Sequence, residues 1–185
     1  MRVVSAGFKA ASRQVLAGLA AVWLVACNPA HAGNSKAPAG PDWDIVTFEV
    51  KSWGAPVTSW RMLPDGGGSW TEAVRKEGEA FNAPPTLVWH EIEPAAANYI
   101  VLEKILRRFP SPVPDSQACT NFMTDAPYGL LRMTKGATTT EISWNDGCMD
   151  DDYRKFVAVL RDADAHVANL GRAAPVSRTE APASN

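Results

Sequence analysis

The stretch YGLLRMTKGATTTEISWNDGCMDDDYRKFVAVLRDADAHVANLG, residues 128–171, changes its hydrophobic period once, and that change decides the fold class. Its first half reads at period 2. Tyr128–Thr134 and Thr138–Asn145 alternate, with Thr138, Thr140, Ile142 and Trp144 sharing one face. The turn between them holds Lys135 and Gly136, and glycine takes the positive φ that tight hairpins need. After Asn145-Asp146-Gly147-Cys148 the period becomes 3.6. Tyr153, Phe156, Val157, Leu160, Ala163, Val167 and Leu170 recur at spacings of three and four, the mark of a helix with one apolar stripe. Asp150, Asp151 and Asp152 stand where a helix dipole favours acids, and Gly171 predicts the stop. A hairpin followed by an amphipathic helix is half of an α+β domain.

Upstream, the same reading repeats. Trp43–Lys51 puts Val46, Phe48 and Val50 on one side; Val57–Leu63 aligns Trp60 with Met62; Pro64–Gly68 is a loop; Ser69–Val74 returns. Thr86–Ile92 sets Leu87 and Trp89 against Val88, His90 and Ile92. From Pro94 to Pro110, Tyr99, Val101, Leu102, Ile105, Leu106 and Phe109 recur at helical spacing, with Pro94 suited to the first turn. The order is β-β-β-β-α-β-β-α. It predicts a two-layer α+β sandwich, an antiparallel sheet of about six strands with both helices on one face. That domain spans 42–171, preceded by a leader at 1–26 and a flexible tether at 27–41 rich in Ala, Pro and Gly, and followed by a disordered tail at 172–185.

Hydrophobic residues make up 46% and charged residues 21% of the 185, ordinary for one packed domain. The net charge of −2 hides an asymmetry. Residues 42–171 hold 12 Lys and Arg against 19 Asp and Glu, a net of −7 that excludes a nucleic-acid surface.

Arg2, Lys9 and Arg13 precede an uncharged run, Val15–Ala26, too short for a permanent span, which needs about 20 apolar residues. This is a signal peptide. Its end, Leu24-Val25-Ala26-Cys27, resembles the lipobox of bacterial lipoproteins. The resemblance covers the leader only, and it implies a thioether-linked lipid on Cys27 as mature N-terminus. Asn28 in place of Asp at the next position implies the outer membrane. A rival cut exists at Ala30-His31-Ala32, before Gly33, and would release a periplasmic protein with no anchor. Either route removes Cys27 from the thiol count. Cys119 and Cys148 are left, and in an oxidising compartment they predict a disulfide that contributes on the order of 3 to 4 kcal/mol by closing a loop of about 30 residues.

Candidate chemistry is sparse. His90-Glu91-Ile92-Glu93 is the one place where a histidine neighbours two carboxylates, but on a strand His90 points away from Glu91 and Glu93. His166 and Asp162, four apart, suit a helix-surface contact. The acids Asp146 and Asp150–Asp152 lack the EF-hand pattern for calcium and read as capping residues, while Gly66-Gly67-Gly68 lacks the Lys and Ser/Thr of a phosphate loop. No nucleophile elbow, HExxH helix or zinc spacing occurs, so no catalytic set, metal or cofactor is implied. Six tryptophans lie after the leader: Trp43, Trp53, Trp60, Trp70, Trp89 and Trp144. Trp60 and Trp70 flank the glycine loop and either pair in the core or join Trp53 and His90 in an aromatic binding surface.

Three readings follow. The first is a non-enzymatic envelope lipoprotein whose sheet face binds a periplasmic protein or glycan. The second is a small periplasmic enzyme or metal-binding protein using His90, Glu91 and Glu93. The third is a disulfide-stapled inhibitor of an exported hydrolase presenting the proline-rich loop 110–118.

Overall fold

The computed structural model describes residues 40–80 and 83–182. Four strands come first, β1 (Ile45–Ser52), β2 (Ala55–Met62), β3 (Gly68–Val74) and β4 (Thr86–Ile92). Helix α1 (Ala96–Leu106) follows, then β5 (Tyr128–Lys135), β6 (Thr138–Asn145), helix α2 (Asp151–Ala173) and β7 (Val176–Glu180). All neighbours are antiparallel in one seven-stranded sheet, ordered β6-β5-β1-β2-β3-β4-β7. The fold is the expected α+β sandwich, with seven strands rather than about six.

Register fixes which side chains meet. One row runs across the whole sheet: Ile142, Leu131, Phe48, Trp60, Trp70, His90, Val176. Another places Met133, Val46, Met62, Gly68 and Ile92 side by side. From Leu131 to Ile92 the side chains of these rows are buried, because both helices lie over this face. Helix α2 supplies Tyr153, Phe156, Val157, Leu160, Ala163 and Val167, and α1 supplies Tyr99, Leu102 and Leu106. Phe109 and Phe156 meet with ring centroids 5.3 Å apart. Complete burial of one such aromatic or aliphatic side chain contributes about 1.5 to 3 kcal/mol.

Helix α2 has the length its route demands. It starts beyond one edge strand, β6, and delivers the chain to the other, β7. Six strand spacings amount to about 29 Å, and 23 residues of α-helix to about 34 Å. The helix runs past the predicted stop: Gly171 lies within its last turn, since a Cβ there would stand 2.5 Å from the Trp70 ring.

The expected tail at 172–185 is a further correction. Its first two residues complete α2, and residues 176–180 form β7, pairing with β4 from Leu87↔Glu180 to His90↔Val176. A bare β4 would expose the main chain of a Val- and Trp-bearing strand, and β7 covers that edge. The disulfide Cys119–Cys148 is present, and it joins the loop after α1 to the residues just before α2. Among the described residues no helix is long and apolar enough to cross a membrane.

Candidate functional site

Because strand side chains alternate, each strand of the core rows also presents residues to the opposite face, which neither α1 nor α2 covers. On β1 these are Thr47, Glu49 and Lys51; on β2, Ser59 and Arg61; on β3, Ser69 and Thr71; on β4, Trp89 and Glu91; on β5, Leu130 and Arg132. The centre of this open face is a shallow depression of about 360 Å³, floored by the short side chains of Thr47, Ser59, Ser69 and Thr71 and flanked by Arg61, Arg132 and half-buried Trp89. Glu49 and Leu130 also line a second hollow of about 590 Å³ beneath the 116–122 loop, where Lys51, Gln117, Phe122 and Tyr128 are exposed or half-buried. The two hollows adjoin at Glu49 and Leu130, and together they are the groove of the open face.

The charges along it are mostly paired. Lys51 Nζ lies 3.4 Å from Glu49, and Arg132 Nε 2.5 Å from Glu141 on the neighbouring strand. Arg178 of β7 lies over the Trp89 ring, 3.8 Å from its centroid. A cation stacked on indole holds that ring in place at the groove's rim. Arg61, exposed at the centre, has no ion pair or hydrogen bond through its side chain among the described residues.

The residues singled out in the sequence land elsewhere. Trp60 and Trp70 stand opposite each other in register and are 3% and 2% exposed, so they are core and not binding surface. Trp60 Nε1 donates to Asp164 Oδ1 at 3.0 Å. His90 is likewise buried. Its Nδ1 donates to the carbonyl of Ala174, 3.1 Å away, and so holds the corner where α2 turns into β7. Glu91 faces the other way and is exposed, as is Glu93 beyond the strand, so the three do not converge. The carboxylate nearest His90 Nε2 is Glu72, at 3.8 Å. Trp53 alone of the four surface candidates is exposed, at 65%, on the tip of the β1–β2 turn with φ of 53°.

Asp162 and His166 do not pair with each other. Asp162 meets Arg108 at 2.7 Å and His166 Nε2 donates to the Asn98 carbonyl at 2.9 Å, both joining α2 to α1 or its C-terminal end. Asp150 accepts the backbone N–H groups of Thr120 and Asn121 and both their side chains, which pins the loop beside the disulfide and holds its carboxyl below the usual range. Asp146 takes Arg161 through both oxygens at 2.6 Å. Asp146 and Asp150 are therefore structural; Asp150 is the N-cap residue of α2 but gives its carboxylate to the loop and not to the helix, while Asp151 and Asp152 lie in the first turn. Cys119, Cys148 and Asp150 are close enough to suggest a metal, but the two sulfurs are bonded to each other and offer no thiolate. Gly66, with φ of 80°, leaves no room for a Cβ, which would meet the Ala95 carbonyl; the glycine loop is shaped for packing against the start of α1. Cys27 lies outside the described residues.

An open sheet face is expected from the sequence, but which residues line it is not legible there, because β4 is apolar on both sides. Leu87 and Trp89 oppose Val88, His90 and Ile92, and alternation alone does not say which set a helix will cover. Comparison with protein-family models, with curated proteins and with solved structures finds no match.

Proposed function

We propose that this chain is an exported, lipid-anchored envelope protein that acts without catalysis, binding a glycan along the open face of its sheet. The observation that carries the reading is the groove itself: hydroxyls on its floor, Trp89 and Tyr128 along its length, and the exposed Arg61 guanidinium at its centre. Amphipathic rings together with hydroxyl, amide and guanidinium groups are what sugar rings require, since sugars offer both apolar C–H faces and many hydrogen-bonding hydroxyls. The basic leader, the Cys27 lipobox and Asn28 support attachment at the periplasmic side of the outer membrane. The disulfide fits an oxidising compartment. Burial of His90 away from Glu91 and Glu93 speaks against the enzymatic alternative.

Co-sedimentation with purified peptidoglycan sacculi tests the binding. The native protein is expected to pellet with sacculi, and a Trp89→Ala, Tyr128→Ala double variant to stay in the supernatant while keeping a native unfolding transition. Equal pelleting of both, or none of either, refutes the reading. Intact mass tests the anchor. A diacylglycerol-sized increment that disappears in Cys27→Ser is expected, and a chain beginning at Gly33 contradicts it.

A further inference from the structure

The groove also carries a charge preference, and we infer that its ligand is a glycan bearing carboxylates, with Arg61 the residue that holds the acid; this rests on the glycan reading above. Among the described strand residues four cations face the open side, and three are engaged: Lys51 by Glu49, Arg132 by Glu141, Arg178 by the Trp89 ring. Arg61 is the exception. In its cross-strand row it stands between Thr47 and Ser69, whose side chains are too short to cover a guanidinium, with Arg132 one strand beyond Thr47. Two strand spacings put the backbones of Arg61 and Arg132 about 10 Å apart, and with Arg132 held by Glu141 the guanidinium of Arg61 is the unpaired positive charge at the centre of the depression, although the domain as a whole is acidic. Salt screens the domain's overall repulsion within about 10 Å at 0.1 M, which leaves the local guanidinium to decide.

The chemistry favours a carboxylate over a phosphate. A guanidinium presents a planar fork that matches one carboxylate through two parallel N–H···O bonds. Glu49 lies in the same depression, and Glu91 follows Ser69 in Arg61's own row. These acids oppose a dianion more strongly than a monoanion. The surrounding hydroxyls of Ser59, Ser69 and Thr71 then meet the neutral sugar groups on either side.

The test is isothermal titration of the full processed protein, at 0.1 M salt, with soluble sacculus fragments before and after amidation of their carboxylates. The native protein is expected to bind the untreated fragments about tenfold more tightly than the amidated ones. Arg61→Gln should bring the untreated fragments down to the amidated level and leave the amidated affinity unchanged. Arg61→Lys, which keeps the charge and loses the fork, should fall between. Equal binding of both fragment types by the native protein overturns the carboxylate inference and leaves the glycan reading standing. Discrimination that survives in Arg61→Gln overturns the assignment to Arg61. Binding of neither fragment removes the glycan reading and this inference together.

Discussion

Asp164 shows how a single residue ties the fold to solvent conditions. Its carboxylate, under α2, accepts the Trp60 indole N–H, and burial pushes its proton affinity above the ordinary carboxylate value of 3.8, opposed by that hydrogen bond and by the charge of Arg172. An acid whose folded value is raised favours folding while protonated. Its contribution is fully present below about 3.9 and is lost as pH rises through the raised folded value. Asn in its place still accepts the indole N–H and no longer titrates. Asp164→Asn should therefore remove the part of the stability loss that begins just above pH 4, and at pH 7 should be at least as stable as the native chain. Asp164→Ala leaves the buried indole without an acceptor and should cost about 1 to 3 kcal/mol. Urea unfolding at pH 4 and pH 7 measures both. A native-minus-variant difference that does not change between those pH values contradicts the assignment. Trp60 is legible as a core candidate, but its bond to Asp164 is not, because the two are 104 residues apart and only the register of β2 under α2 brings them together.

At the scale of elements, what the sequence reveals depends on how local the cause is. Helix α2 was legible because its stripe from Tyr153 to Leu170 repeats for five turns, and the β5–β6 hairpin because Gly136 takes a positive φ between two alternating runs. The disulfide followed from counting cysteines. Two features failed because their causes are distant. Gly171 reads as a helix stop and is instead a contact with Trp70, a residue of another element. Strand β7 has five residues, all exposed, between Pro175 and Pro182. Nothing within such a segment asks for a strand; the demand comes from the free edge of β4. The candidate site was half legible for the same reason. Alternation separated Trp89 from His90 on β4, but a β4 apolar on both sides left open which face the helices would take, and Trp60, Trp70 and His90 went under them.

The described domain is a sheet dressed on one side. Both helices and the staple at the start of α2 serve the core face, and the other face keeps its hydroxyls, arginines and Trp89 exposed or half-buried. The chain enters at residues 40–44, where Asp42 meets Arg107 at 2.5 Å and Lys135 meets Asp44 at 3.1 Å, so the start of the domain is fastened to α1 and to the β5–β6 turn. The central claim is that binding happens on the open face. Amide NMR of the isotope-labelled protein titrated with soluble sacculus fragments tests it most directly. The account predicts shifts at Thr47, Ser59, Arg61, Ser69, Thr71 and Trp89, with α1 and the outer side of α2 unchanged. Shifts confined to the helices or to the Trp53 turn, with the open face silent, would contradict it.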